Sequence, residues 1–210
     1  MARGVRLNAR TPSAWVGLAL AFALVSLLPW RSIEASVDWQ PMLAFSQPWR
    51  ALTAPFLHYS SMHLAANVAG ALVVGAFGAA GGVPARMALA WLAAWPLTQF
   101  GLLAQPTLAH FGGLSGVLHA GVAVAALFVA VRGRQRQRWV GLAVLAGLAV
   151  KVLSEEPWGA PLRHPAGWDI AVAPIAHASG LVAGLVCGAL ALTMPVRTPA
   201  HLRAPPRSDP

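Results

Sequence analysis

The stretch GLSGVLHAGVAVAALFVAVRGRQRQR, residues 113–138, decides the fold. Its first nineteen residues carry no formal charge and are mostly Val, Ala, Leu and Gly, whereas the last seven hold four arginines. A hydrocarbon core of ~30 Å is crossed by roughly 20 helical residues, so the run is long enough to span a bilayer. The arginines then mark the side on which it ends. The rest of the chain agrees: it is 57% hydrophobic and 10% charged, with a mean hydropathy of +0.61. That is too apolar for an ordinary soluble domain.

Five more runs of this kind flank the first, at about 13–30, 62–80, 84–104, 139–155 and 170–194. With 113–131 they predict an all-α, polytopic membrane protein built as a bundle of six transmembrane helices. The run at 13–30 follows a basic segment, as a signal peptide would. No A-x-A cleavage site precedes the second run, so it is kept as a helix. The expected organisation is one membrane domain over 1–195 and a disordered basic tail over 196–210, rich in proline and arginine.

The net charge of +9 raises the question of nucleic acid, and its distribution answers it. With a cytoplasmic N-terminus and six alternating spans, eleven cations fall inside: Arg3, Arg6, Arg10, Arg86, Arg132, Arg134, Arg136, Arg138, Arg197, Arg203 and Arg207. Only Arg31, Arg50, Lys151 and Arg163 fall outside, together with five of the six acidic residues. This asymmetry is what the positive-inside rule requires. The basic excess is therefore a topology signal, the partner it implies is the lipid bilayer, and nucleic acid is not expected. Both termini are expected in the cytoplasm. The dominance of arginine over lysine, fourteen to one, with abundant alanine, fits a GC-rich bacterial genome. Cys187 is the single cysteine, which excludes a disulfide within the chain and suits small-residue packing.

Polar residues inside the spans carry the functional information, because ionisable groups in a bilayer are costly. His63 and Asn67 lie in the second span, Ser115 and His119 in the fourth, His177 and Ser179 in the sixth. These three spans run in the same direction, so all six residues fall in one layer near the outer surface. Ser115 sits among Gly112, Gly113 and Gly116 at a helix start, where unpaired backbone N–H groups and the helix dipole favour an oxyanion. It does not sit in a G-x-S-x-G elbow, because position 117 is Val.

Two histidines are candidate bases for this serine. His119 is four residues on and shares its face; His177 is on another helix at matching depth. Ala176, Gly180, Gly184 and Gly188 form a stripe of small residues that permits close helix packing. Gly112, Gly116 and Ala120 repeat that interval on the fourth span, so pairing the two stripes brings His177 toward Ser115. We therefore favour His177 as the base. His63 and Asn67 share a face and are suited to donate hydrogen bonds to an oxyanion, or else to cross-link helices. A zinc site on the three histidines is disfavoured, since no carboxylate or cysteine is expected in the layer. No metal and no cofactor is expected.

These residues resemble a known family. Trp49-Arg50 in the outer loop, His63-x-x-x-Asn67, Gly113-x-Ser115-Gly116 and Ala176-His177-x-x-Gly180-x-x-x-Gly184 are similar to the signature regions of rhomboid intramembrane serine proteases. The resemblance spans nearly the whole chain. It implies a Ser115–His177 dyad with no acidic third member, and an oxyanion hole of His63, Asn67 and the Ser115 N–H. It also implies structural loop roles for Trp49, Arg50 and His58. Within the family, GLSGVLHAG and KVLSEE (151–156) look most like rhombosortase. That subgroup is associated with membrane-anchored protein substrates ending in a glycine-rich (Gly-Gly-type) motif, a membrane helix and a basic end. Lys151, Glu155 and His119 are then candidates for a subgroup-specific role, although Lys151 and Glu155 equally suit a boundary ion pair. Ser-Glu-Glu departs from the Trp-Glu-Gln-like stretch common in the subgroup. The expected location is a bacterial inner membrane, with the site open to the periplasm. A generic rhomboid protease, a non-catalytic relative that binds substrates, and a small transporter are the alternatives; a transporter would more naturally show inverted repeats.

Overall fold

Helix α6 (Ser115–Arg132) is the centre of the molecule. In the computed structural model, which describes residues 13–194, 61% of its apolar window is buried. Around it stand α4 (Ser61–Ala80), α5 (Ala85–Phe100), α7 (Gln135–Ser154) and α8 (Pro174–Thr193), while α1 (Ser13–Ser26) packs on α4 and α5. Two short helices, α2 (Glu34–Val37) and α3 (Arg50–Thr53), lie in the loop between α1 and α4. Among the described residues there are no strands, only two isolated bridges. Among the described residues, five helical stretches are long and apolar enough to cross a membrane. A sixth arises if Ala14–Ser26 and Trp30–Val37, bent by 67°, count as one span. The chain is thus an all-α, multi-pass membrane protein.

The first span is shorter than expected, ending at Ser26 rather than near residue 30. Pro29 lacks the N–H that would continue the ladder, and the chain turns there into a 3₁₀ segment, Trp30–Ile33. The arginine-rich connection at 132–138 is also partly helical, because α7 begins at Gln135 with the Gln137 side chain accepting from the Arg134 N–H at 3.0 Å. Arg132 and Arg138 remain at that end of the bundle, donating to the carbonyls of Leu192 and Ala130. Six of the eleven cations assigned to the inner side (Arg3, Arg6, Arg10, Arg197, Arg203 and Arg207) lie outside the described residues, as does the tail 196–210.

Two apolar clusters fix the frame. In the larger, Trp15 stacks on Trp91 with ring centroids 4.6 Å apart, and Phe22 meets Trp91 edge-on. Each indole N–H finds a carbonyl: Trp15 reaches Val74 at 3.0 Å and Trp91 reaches Val117 at 2.7 Å. Large aromatic rings with satisfied polar edges lock α1, α4, α5 and α6 into one register. The second cluster, around Trp39, Leu102, Leu108, Phe111 and Ala176, ties the outer loop to the starts of α6 and α8.

The contact between α6 and α8 is closest of all. A Cβ on Gly184 would lie 2.8 Å from the Ala120 Cα, and one on Gly116 would lie 2.7 Å from the Ala176 carbonyl oxygen. One on Gly180 would run into the Gly116 carbonyl. Only glycine allows the two backbones to meet this way, as the paired stripes predict.

Candidate active site

Ser115 is the first residue of α6, and the chain leading into it is held from two sides. Phe111 and Trp39 exchange backbone hydrogen bonds of 2.7 and 2.8 Å, and the Gly113 N–H donates to Ala54 at 3.0 Å. Gly113 has φ +131°, and a side chain there would press on the His63 ring at 2.7 Å. Glycine at 113 therefore serves both the backbone turn and the close approach of α4.

On α8, His177 lies in the first turn and is 5% exposed. Its Nε2 is 3.0 Å from Ser115 Oγ. His119 goes elsewhere: its Nδ1 lies 2.6 Å from the Ser115 carbonyl oxygen, the residue four positions back on its own helix. Its ring stacks on His177 with centroids 4.2 Å apart and planes 13° from parallel. Of the two candidate bases, the structure brings His177 to the hydroxyl and uses His119 as a flanking plate.

His63 and Asn67 are both buried on α4 and line the same cavity as Ser115. His63 Nδ1 and Asn67 Nδ2 find no hydrogen-bond partner among the described residues, and Asn67 Nδ2 faces Gly113. A buried amide donor such as Asn67 Nδ2 is expensive unless something accepts from it, and His63 turns its Nε2 edge toward the same turn at Gly113. An oxyanion forming at Ser115 is an acceptor of the right charge. The Ser60 hydroxyl accepts from the His63 N–H at 3.0 Å, capping α4, and donates to Asp169 at 2.8 Å, which ties the loop after α7 to this end.

The remaining sequence-derived candidates fall into two groups. Arg50 is buried in the outer loop, where it pairs with Asp38 at 2.8 Å and also donates to the Asp38 and Ala35 carbonyls. Trp49 is half exposed beside it. His58 is buried under the loop, 2.9 Å from the Phe56 carbonyl and edge-on to His63. Burial pushes its imidazole below the usual histidine range, partly offset by that carbonyl. Neither Trp49, Arg50 nor His58 lines the Ser115 cavity. Sequence reasoning named Arg50 without its partner Asp38, which also lies 2.5 Å from His110.

Lys151 and Glu155 belong to the second group, and here an expectation is corrected. The polar layer was expected to hold no carboxylate, yet Glu155 Oε2 lies 2.7 Å from His177 Nδ1. Its other oxygen meets Lys151 at 2.9 Å, the i, i+4 pair anticipated on α7. Lys151 Nζ is also 2.8 Å from both His119 Nε2 and His177 Nδ1. Glu155 escapes a depth argument because it caps the C-terminal end of α7 and points into the bundle, across the first turn of α8.

Ser115, His177, His63, Asn67, His119, Lys151 and Glu155 open on a cavity of about 840 Å³. It continues below the polar layer between Gly70 and Val73 of α4, Val122 of α6 and Leu148 of α7. Polar groups are thus gathered at one end, and apolar walls extend along the helices. A family model described as the Rhomboid domain matches residues 46–194. No curated protein matches the chain.

Proposed function

The chain belongs to the rhomboid family, and from that premise we propose that it is an intramembrane serine endopeptidase with Ser115 as nucleophile and His177 as base. The observation that carries this reading is the 3.0 Å approach of Ser115 Oγ to His177 Nε2 at the polar end of a cavity between membrane helices. Ser115 Oγ attacks the scissile carbonyl while its proton passes to His177 Nε2. The carbonyl oxygen becomes an oxyanion, accepting from the Ser115 N–H at the start of α6 and from His63 and Asn67. Collapse expels the amine, which takes the proton from His177 and leaves an acyl-enzyme on Ser115. A water molecule, deprotonated by His177, releases the acid and restores the serine. Trp49, Arg50 and His58 stabilise the outer loop rather than touch substrate.

The substrates in this reading are membrane-anchored proteins, whose apolar segment suits the wall formed by Gly70, Val73, Val122 and Leu148. Residues 1–195 form the protease domain and 196–210 a basic cytoplasmic tail. Both termini lie in the cytoplasm of a bacterial cell, and the polar end opens to the periplasm. The rhombosortase resemblance, together with Lys151 and Glu155 at the site, favours substrates with a C-terminal glycine-rich motif, a helix and a basic end.

Co-expression with a tagged single-pass substrate tests the mechanism. Cleavage should vanish in Ser115→Ala and in His177→Ala, a loss on the order of 10³-fold or more in rate. His119→Ala should retain cleavage. Product from Ser115→Ala at the wild-type rate would refute the nucleophile. Cleavage that is lost in His119→Ala but kept in His177→Ala would reassign the base. Equal cleavage of substrates with and without the glycine-rich motif would remove the subgroup assignment while leaving the protease.

A further inference from the structure

We infer that Glu155 is a positioning residue of this reaction: it fixes His177 in the tautomer that can receive the Ser115 proton, and Lys151 holds the carboxylate in place. The inference rests on the Ser115–His177 reading above.

A neutral imidazole has one nitrogen that donates and one that accepts. For Ser115 to pass its proton to Nε2, that nitrogen must carry the lone pair, so Nδ1 must carry the hydrogen. Nδ1 has two close neighbours of opposite character, Glu155 Oε2 at 2.7 Å and Lys151 Nζ at 2.8 Å. A carboxylate only accepts and an ammonium only donates. Glu155 therefore selects the competent tautomer. Lys151, acting alone, would select the opposite one, with an N–H facing Ser115 Oγ and no base for the serine.

The surrounding contacts resolve this competition in favour of Glu155. His119 Nδ1, 2.6 Å from the Ser115 carbonyl, can only be the donor there, which leaves His119 Nε2 as an acceptor. Lys151 reaches that acceptor at 2.8 Å and Glu155 Oε1 at 2.9 Å. Its hydrogens thus have two acceptors without His177. One consistent chain of protons follows: Lys151 donates to His119 and Glu155, His177 Nδ1 donates to Glu155, and Ser115 donates to His177 Nε2. When His177 becomes an imidazolium in the transition state, Glu155 is, among the described residues, the negative group in direct contact with it. The other groups facing the ring are Ser115 and His119 from α6, Lys151 from α7 and His63 from α4 across the cavity. A simple boundary ion pair would not need the second carboxylate oxygen aimed at Nδ1.

The test uses the purified full chain and measures kcat and KM on a tagged single-pass substrate, with melting temperature and fluorophosphonate labelling of Ser115 in parallel. Loss of a carboxylate that sets the tautomer of a catalytic histidine costs roughly 10⁴ in kcat in a serine-protease triad, and Glu155, a quarter exposed, is expected to give less. Glu155→Gln should therefore lower kcat by at least about 100-fold with KM within about threefold, since the group acts on the base rather than on substrate binding. Glu155→Asp, which keeps the carboxylate on a shorter arm, should recover part of the rate. Because Glu155→Gln leaves Lys151 unpaired, the double variant Lys151→Met/Glu155→Gln removes both charges and should fold, with kcat still down by about 100-fold. Either variant within about threefold of the wild-type kcat would overturn the inference. So would a loss confined to KM. Failure of the wild-type protein to label at Ser115 would instead sink the reading beneath it. A labelled wild type with an equally active Glu155→Gln would sink only the role of Glu155.

Discussion

Helix α6 meets its neighbours α8 and α7 in two different ways. Against α8 the backbones touch along two full turns, at Gly116, Gly180 and Gly184. Against α7 the tight backbone approach is at Gly141, and the other end is held by side chains such as the buried Val152. A Cβ on Gly141 would lie 2.5 Å from the Ala130 N, yet seven residues on the same helical face reaches Leu148, which lines the cavity instead. The burial follows: 44% of the apolar window of α8 is buried against 17% of α7. The serine–histidine distance therefore stands on a seam that cannot slide without a backbone collision. The carboxylate and the ammonium stand on a helix held backbone to backbone at one end and by side chains, with Val152 buried, at the end that lines the cavity. Rigid spacing and open access are divided between two helices packed on the same third one.

The seam is the place to break this arrangement most severely. Gly180→Leu puts a side chain into the Gly116 carbonyl. Overpacking typically costs 1–3 kcal/mol, and here the obstacle is backbone, so about 3 kcal/mol or more is expected. A displacement of about 1 Å between nucleophile and base costs on the order of 10²-fold in rate, so cleavage should fall at least that far. Thermal melting and substrate cleavage read the two effects separately. A variant that melts lower but cleaves normally would show that the seam carries stability without setting the spacing.

A smaller effect is expected where α7 meets α6. Gly141→Val presses on the Ala126 carbonyl and the Ala130 backbone, at a cost of about 2–3 kcal/mol, below that at Gly180 because the nearest backbone atom would be 2.5 Å rather than 2.0 Å away. The Ser115–His177 contact lies on the other interface and should persist. Only Lys151 and Glu155 would shift, since they lie about three to four turns beyond Gly141, at the end of α7. Fluorophosphonate labelling should therefore survive while turnover drops about tenfold, intermediate between an intact site and one lacking its carboxylate. Equal loss in Gly141→Val and Gly180→Leu would erase the distinction between the two interfaces.

The same contrast explains what could be read from the sequence. The α6–α8 seam was legible because a small residue at every fourth position maps directly onto one helix face, and that face carries Ser115 or His177 at its end. The common depth of His63, Asn67, Ser115 and His177 followed from span direction alone. The place of Glu155 did not. Its spacing from Lys151 shows that the two share a face of α7, but whether that face turns to lipid or to His177 depends on the rotation of α7. That rotation is fixed by tertiary contacts with no periodic signature, Gly141 against Ala126 and Ala130 at one end and the burial of Val152 at the other. The outer loop was opaque for a related reason. Arg50 finds Asp38 twelve residues earlier through irregular backbone, where no hydrophobic period reports which residues meet. The bend after Ser26 was likewise hidden within an apolar run that continues to Pro29.

The mildest substitution serves as the control for the other two. Gly147 lies on α7 between Gly141 and Lys151, is exposed on the outer side of the bundle, and has nothing within 4 Å of an added Cβ. Gly147→Ala therefore adds a methyl group without a collision and removes backbone freedom from the middle of a helix. The expected result is a gain of about 0.5–1 kcal/mol, the ordinary helix-interior difference between the two residues. Turnover should stay at the wild-type level if α7 acts only as a carrier for Lys151 and Glu155. A fall in turnover with unchanged fluorophosphonate labelling would mean something more specific. It would show that α7 must flex between Gly141 and its cavity-lining end for substrate to pass, since the added methyl group touches nothing and stiffening is the change that can reach the site.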